Sequence, residues 1–315
     1  MHPALQLLLA QAPVVTDGAW GTQLQARGLA AGDCPDHWNL THPGWVAEVA
    51  RAYVAAGSQV ILTNTFRANR LALAGHGLGD EVKAINRAGV EISRRAAGDS
   101  AAVFGSVGPT GKMLLTGEVD ESELASAFDE QTQAMAAAGV DALVIETMAD
   151  LAEARIALAA AKTTGLPVVV SMVFDTGKKL DRTMMGVTVE QAVEQLAAAG
   201  ADVIGANCGQ GIAGYVDICR RMRAAWAGPI WIKPNAGTPR LENDVPVYET
   251  LAEDFSAHAA ALAAAGATFI GGCCGTDPDF IRAVGAALNV STLGSVQGSS
   301  EGHRTQPLSR MAQPS

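Results

Sequence analysis

The chain has 315 residues, of which 49% are hydrophobic and 17% charged, and its formal net charge at pH 7 is −10. This length and apolar content suffice for one large α/β domain or two small domains. The acidic balance argues against nucleic acid and anionic membranes as partners, because both are bound by clustered basic surfaces.

The N-terminal segment, MHPALQLLLAQAP, has a short apolar run but no basic region before it and no small-residue cleavage site after it. We interpret it as a first helix or a cap. No stretch reaches the roughly 18 continuous apolar residues of a membrane span, so we expect a soluble, cytoplasmic protein. Five cysteines, an odd number, favour reduced thiols used for metal binding or catalysis over a disulfide framework.

Eight short apolar segments rich in β-branched residues recur along the chain, and helical stretches separate them. They begin at Pro13, Gln59, Ala101, Asp141, Leu166, Ala201, Gly228 and Ala267. The intervening stretches are rich in Ala, Leu and Glu, with apolar residues at helical spacing. This alternation predicts an α/β fold, a single (β/α)8 TIM barrel over residues 1–290 with its active site at the C-terminal ends of the strands.

The main alternative fold is a doubly wound open sheet. Such a sheet has fewer strand–helix units and a Gly-rich phosphate loop after its first strand, and the segment DGAWGTQ lacks the G-x-G-x-x-G spacing. After about residue 290 the composition turns to Ser, Gly, Gln, Pro and Arg. Residues 291–315 are therefore predicted to form a disordered tail.

Polar and thiol residues lie where the predicted strands end, and three of them are cysteines. Cys208 ends the sixth strand, and Cys273 and Cys274 follow the eighth in the segment GGCCGT. Because all strand ends meet at one face of a barrel, these three thiols can converge there. Three thiolates with one open position make a plausible catalytic zinc site.

Spacing alone leaves a second interpretation open, in which the three cysteines are small buried hydrophobic residues. Cys34 and Cys219 fall in a predicted loop and helix, and we interpret both as structural. None of the six histidines ends a predicted strand, although the loop that carries His37 can approach the same face.

The motifs at the strand ends resemble those of a known family. The segments DGAWGTQL, TNTF, GPTG, IETM, ANCG, KPNAG and GGCCGT occur in this order. Together they resemble the homocysteine S-methyltransferase family, which includes the homocysteine-binding barrel of cobalamin-dependent methionine synthase and betaine–homocysteine methyltransferase. The resemblance covers about residues 13–288, and the segment GDCPDHWNLTHP is similar to the methionine-synthase side of the family.

The resemblance implies a set of site residues and a cofactor. Zn²⁺ is expected on Cys208, Cys273 and Cys274. Asp17 and Glu146 are expected to contact the amine of homocysteine, the backbone around Gly18 and Ala19 its carboxylate, and Asn235 is expected to orient the substrate or to fill the fourth zinc position.

The implied activity is transfer of a methyl group from an activated donor to the thiol of homocysteine, giving methionine. The expected partners are small molecules, homocysteine and a methyl donor, or a separate corrinoid protein that carries the methyl group. Two alternatives stay open: a different thiol or selenol acceptor, and transfer from a quaternary amine or sulfonium to a corrinoid protein. A barrel acting on phosphorylated metabolites is disfavoured. Such a barrel needs a Gly-rich phosphate loop here, and the glycine-rich loop after the last strand has two cysteines at its centre.

Overall fold

All eight predicted segments form strands in the computed structural model, which describes residues 2–242 and 245–290. An additional hairpin of two short strands lies between the seventh and eighth of them. The strands are β1 (Val14–Val15), β2 (Val60–Leu62), β3 (Ala102–Val107), β4 (Ala142–Met148), β5 (Val168–Met172), β6 (Val203–Gly211), β7 (Ile230–Asn235), β8 (Arg240–Glu242), β9 (Val245–Val247) and β10 (Phe269–Ile270).

Apart from the hairpin strands β8 and β9, the strands form one eight-stranded parallel sheet in the order β1-β10-β7-β6-β5-β4-β3-β2. A parallel bridge between Thr16 and Val60 joins β1 to β2 and closes the sheet on itself. The predicted (β/α)8 barrel is therefore confirmed.

Helices connect consecutive strands and cover the outside of the barrel. They are α1 (Pro3–Leu9), α2 (Gly21–Gln25), α3 (Trp38–Thr41), α4 (Pro43–Ala55), α5 (Arg70–Ala74), α6 (Val82–Ala97), α7 (Glu121–Ala138), α8 (Leu151–Lys162), α9 (Val189–Ala198), α10 (Ile212–Ala225), α11 (Ala252–Ser256), α12 (Ala259–Ala264) and α13 (Pro278–Ala287). Two short 3₁₀ helices span Pro35–His37 and Gly79–Glu81.

Alternate residues along the strands divide the core into an inner and an outer part. On β4, Ala142 and Val144 face the barrel interior, whereas Leu143 and Ile145 pack against the helices. This is the period-two alternation of a β-strand. The interior is filled by large side chains, among them Trp231, which lies between two phenylalanines with ring centroids at 6.2 Å and 5.4 Å. The barrel is thus a packed core and not a channel.

The N-terminal helix closes one end of the barrel. Leu5 of α1 is fully buried and belongs to the interior cluster with Val14, and Leu8 and Leu9 pack against it. The prediction of a first helix at this position is confirmed. The opposite end, where the strands finish, stays open and carries the site described below; we call it the mouth.

No helix among the described residues is both long and apolar enough to cross a membrane. The predicted tail, residues 291–315, lies outside the described residues.

Candidate active site

Three thiols meet at the mouth of the barrel, as predicted. The sulfur atoms of Cys208, Cys273 and Cys274 all lie within 4.8 Å of one another, and the Cys208 and Cys274 sulfurs are 4.0 Å apart. Within the described part of the chain, this is the only group of three or more His, Cys, Asp or Glu side chains placed to share a metal ion. Three soft thiolate ligands suit zinc and leave one of its four positions open.

The backbone of β6 directs Cys208 toward the other thiols. Cys208 has a φ of 63°, a value that residues other than glycine rarely adopt. The pairing of β6 with β7 shifts in register just after it. Tyr215 on α10 donates a hydrogen bond of 2.6 Å to the Cys208 carbonyl oxygen. The unusual backbone is therefore held by a buried side chain, as expected where strain persists at a functional position.

The two adjacent cysteines are fixed through their backbone. The Cys273 amide donates to the Pro234 carbonyl at 2.7 Å, and the Ala236 amide donates to the Cys274 carbonyl at 2.9 Å. Thr276 donates its hydroxyl proton to the Cys273 carbonyl at 2.7 Å. The loop after β10 is thus attached to the end of β7, which brings both thiols beside Cys208.

The thiol cluster does not ionise readily without a cation. Contact with Cys273 lowers the pKa of Cys208, but contact with Cys274 and burial outweigh it and raise the pKa to about 12. Contact with Cys208 raises the pKa of Cys273, as does burial. Three thiolates at this spacing therefore need a bound positive charge, and the donor set fits Zn²⁺.

The thiols open into a cavity of about 350 Å³. Its walls come from the ends of β1, β2, β3, β4, β6, β7 and β10 and the loops that follow them. Its lining includes Gly18, Ala19, Trp20, Pro35, Asp36, Asn64, Phe66, Arg67, Ser106, Glu146, Thr147, Lys233 and the three cysteines. A cavity of this size accommodates a small metabolite.

Glu146, expected at the mouth from its place at the end of the fourth strand, lies in the wall of this cavity. It is 7% exposed and accepts a hydrogen bond of 2.5 Å from the Ser106 hydroxyl. Burial raises its pKa, and the charge of Lys233 and the Ser106 hydrogen bond lower it in part. The carboxylate is therefore placed to pair with a positively charged group of a ligand.

Asp17 lies deeper than Glu146 and is fully buried. One of its oxygens accepts from the Trp20 indole at 2.8 Å and the Leu62 amide at 2.7 Å, and the other pairs with the Lys233 ammonium at 2.5 Å. Both oxygens are engaged within the protein. Asp17 thus contributes charge close to the cavity, while Glu146 contributes a carboxylate in its wall.

The remaining predicted residues also lie at the mouth. Gly18 and Ala19 line the cavity, where the Ala19 amide donates to the Thr276 hydroxyl at 3.2 Å. Gly18 is tightly packed, since a Cβ there would come within 2.8 Å of the Thr276 and Tyr53 oxygens. Asn235 ends β7, and its buried side-chain oxygen has no hydrogen-bond partner among the described residues.

Cys34 and Cys219, interpreted above as structural, are not part of the group of three thiols. Cys34 is buried beside the 3₁₀ helix that contains His37, and Cys219 is fully buried on α10.

Sequence reasoning missed two buried charged residues of this cavity, in addition to the exposed Arg67. Lys233 is 2% exposed, and its position in IWIKPN, two residues after Trp231, was a signal that it faces the barrel interior. Asp36 is 1% exposed and accepts from the Arg67 amide at 3.0 Å; burial raises its pKa to about 6. It belongs to the 3₁₀ helix Pro35–His37; the sequence allowed this loop to approach the mouth with His37, and the structure shows that Asp36 lines the cavity.

Sequence comparison gives the same family as the motifs. The family model described as homocysteine S-methyltransferase matches residues 14–288. Methionine synthase of Mycobacterium tuberculosis is 30% identical over 300 residues, and that of Mycobacterium leprae is 31% identical over 299 residues; each match covers 89% of this chain. The matches cover 25% and 24% of those proteins, so this chain spans about a quarter of their length.

The barrel is also similar in fold to solved structures of other proteins. The homocysteine methyltransferase MmuM of Escherichia coli, in its metallated form, superposes with a TM-score of 0.76 at 24% identity, covering 90% of this chain and 99% of that one. The carboxyl transferase domain of Rhizobium etli pyruvate carboxylase gives a TM-score of 0.53 at 14% identity, over 90% of this chain and 50% of the other. These two structural similarities show only that the barrel fold is shared. The family model matches nearly all of the described residues, and on that match the chain belongs to the homocysteine S-methyltransferase family.

Proposed function

We propose that this protein catalyses zinc-dependent transfer of a methyl group from an activated donor to the thiol of homocysteine, giving methionine. The observation that carries the proposal is the cluster of three thiols opening into a cavity whose wall holds a buried carboxylate. Family membership supports the same reaction.

The proposed metal ligands are Cys208, Cys273 and Cys274. Zn²⁺ held by these residues would supply the positive charge that lowers the pKa of an acceptor thiol at the remaining ligand position, so that the acceptor would be a thiolate near neutral pH. Asn235 is the proposed neighbour of that position, because it ends β7 and its side-chain oxygen lacks a partner within the described residues.

The amino-acid end of homocysteine would be held by the first and fourth strand ends. Glu146 would accept hydrogen bonds from the ammonium group, and the charge of Asp17 behind it would add to the attraction. The backbone near Gly18 and Ala19 lines the same cavity and would face the substrate carboxylate. Both ends of the acceptor would then be fixed, which reduces the entropy lost on reaching the transition state.

The chemistry is a displacement at the methyl carbon. A lone pair of the acceptor sulfur forms the new S–C bond, and the bond between the methyl carbon and the donor breaks, with its electron pair leaving on the donor. The thiol proton has already gone to solvent. The donor therefore needs a good leaving group, as in a sulfonium, a quaternary ammonium or methyl-cobalt.

The test is a donor screen with the purified zinc-loaded protein and homocysteine. S-Methylmethionine, S-adenosylmethionine, betaine and methylcobalamin are each supplied, and methionine is measured. We expect methionine with at least one donor, its loss when zinc is removed by a chelator, and its return when zinc is restored. Methylation of another thiol or selenol in preference to homocysteine, or of an added corrinoid protein, would contradict the proposal.

A further inference from the structure

Lys233 is a buried cation in the wall of the cavity with hydrogen-bonding capacity to spare. Its ammonium nitrogen lies 2.5 Å from an Asp17 oxygen and 5.7 Å from the centre of the Trp231 ring. An ammonium group has three protons to donate, and the described residues supply no hydrogen-bond acceptor for it other than Asp17. The side chain is 2% exposed and lines the same cavity as Glu146.

Lys233 stays protonated despite its burial. Burial lowers its pKa, but attraction to Asp17 and Glu146 outweighs this and leaves the pKa above its ordinary value. A buried ammonium group next to an open cavity, with one hydrogen-bonded carboxylate partner and unused donors, is placed to donate a charge-assisted hydrogen bond to an anionic group of a ligand.

Among the groups that line the cavity, Glu146 and Lys233 offer the ligand a carboxylate and an ammonium group close together. Glu146 and Lys233 lie close enough for each to change the pKa of the other. The head group of an α-amino acid carries an ammonium and a carboxylate on one carbon, and such a pair of opposite charges matches it. The Ala19 amide, which lies in the same wall, already donates to Thr276.

Arg67 is the other cation in the lining of the cavity. It is exposed, and its guanidinium lies beside Gly111, where a Cβ would approach it to 2.9 Å. Its backbone amide pairs with Asp36. Arg67 thus belongs to the solvent side of the cavity, whereas Lys233 belongs to the buried side that carries Glu146.

We propose that Lys233 binds the carboxylate of the acceptor and makes the site selective for thiols that carry an α-amino-acid head group. This inference rests on the proposed function, because it concerns the acceptor of that reaction. It assigns a role that the strand-end motifs did not suggest.

The test compares two acceptors that differ only in the carboxylate, homocysteine and 3-aminopropane-1-thiol. Their dissociation constants are measured by calorimetry on the zinc-loaded protein without a methyl donor. We expect the wild-type protein to prefer homocysteine by roughly ten- to a hundredfold, the range for a charge-assisted hydrogen bond. Lys233→Met should sharply reduce this preference, and any preference that remains would come from the backbone near Gly18 and Ala19.

A double variant separates binding from folding. Lys233→Met alone leaves Asp17 buried without its partner, so Asp17→Asn with Lys233→Met removes both charges together. Zinc content and unfolding are checked first. We expect the double variant to lose the preference for the carboxylate, whereas Glu146→Gln should keep it and instead lose discrimination against 4-mercaptobutanoate, which lacks the amine.

Three results would overturn the inference. One is a double variant that still prefers homocysteine over 3-aminopropane-1-thiol as strongly as the wild type, and the second is loss of that preference in Arg67→Met. The third is a wild-type protein that binds the two thiols equally. Failure of the proposed function looks different, because the donor screen would then give no methionine from homocysteine, whatever the preference between the two thiols.

Discussion

The five cysteines differ in what surrounds their sulfur atoms. Cys208, Cys273 and Cys274 are partly buried, contact one another and face a cavity. Cys34 packs among apolar side chains under α6, and the Cys219 thiol points to a carbonyl of α12 at 3.9 Å. The first three therefore have the access and mutual spacing of metal ligands, and the other two have the surroundings of small core residues.

The first prediction concerns metal content. The wild-type protein should hold about one zinc per chain, and alanine at Cys208, Cys273 or Cys274 should sharply lower the zinc that survives dialysis, because two thiolates do not retain the ion. Elemental analysis measures this directly. Cys219→Ala is the matched control and should keep its zinc; full occupancy in a Cys273→Ala, Cys274→Ala double variant would show that the ligands are elsewhere.

The second prediction concerns the acceptor's ammonium group. Glu146→Gln keeps the size of the side chain and its contact with Ser106 but removes the negative charge from the cavity wall. Loss of one charge-assisted hydrogen bond should raise the KM for homocysteine by roughly ten- to a hundredfold. Zinc content should not change. A normal KM in this variant would place the ammonium pocket outside the Glu146 wall.

At this scale the sequence revealed the thiols but not the charge balance around them. Cys208 and the cysteine pair each follow an apolar run, and a barrel brings such positions together. Lys233 likewise lies near the end of an apolar strand, β7. The residues beside it in the sequence do not indicate which acidic group it pairs with. Its partner, Asp17, is 216 positions away, and only the closed barrel shows the pair.

At the scale of elements, the site depends on irregular strand ends. Thr147 on β4 and Cys208 on β6 both have positive φ, at 61° and 63°, and the register shifts beside each of them. Such bulges often occur next to active sites, where they turn a side chain in a new direction. Here one register shift adjoins Glu146 and the other adjoins Cys208, a proposed zinc ligand.

Asn207 ties these irregular ends together. Its oxygen accepts from the Thr147 amide at 2.9 Å and the Ser171 hydroxyl at 2.6 Å, and its amide group donates to the Thr147 hydroxyl at 2.7 Å. One fully buried side chain thus links β4, β5 and β6 directly under the cavity. The sequence predicted these strands and their ends, but not the register shifts, because a strand pattern contains no information on which residue is left unpaired.

The third prediction tests this link. Asn207→Ala leaves the Thr147 amide without its partner and should lower the free energy of unfolding by about 1–3 kcal/mol. It should also weaken zinc binding, measured by competition with a chelator, because Cys208 is the next residue. Asn235→Ala is the control for stability, since the Asn235 side-chain oxygen has no partner among the described residues. Equal losses of stability in the two variants would argue against the role of Asn207.

At the scale of the whole molecule, the barrel is closed at one end and open at the other. Leu5 of α1 extends the interior cluster beyond Val14, whereas the mouth has a cavity in the corresponding place. The stability of the barrel and its function are therefore served by opposite ends, as is general for this fold. The strand–helix repeat predicted this polarity, and it left open whether the apolar N-terminal run forms part of the core.

The last prediction uses two leucines on the same helix. Leu5 is fully buried in the barrel end, and Leu7, two residues on, is 72% exposed. Leu5→Ala removes buried methyl groups and leaves a cavity, which should cost about 2–5 kcal/mol of the free energy of unfolding. Leu7→Ala changes helix propensity to the same small extent but buries nothing, so its effect should stay within about 0.5 kcal/mol. Urea denaturation of the two variants measures the difference.

Because Leu5 lies at the end opposite the mouth, zinc content and homocysteine binding of the folded Leu5→Ala protein should equal those of the wild type. If Leu5→Ala is as stable as Leu7→Ala, α1 does not close the barrel; if it is unstable and also loses zinc, the two ends are not independent.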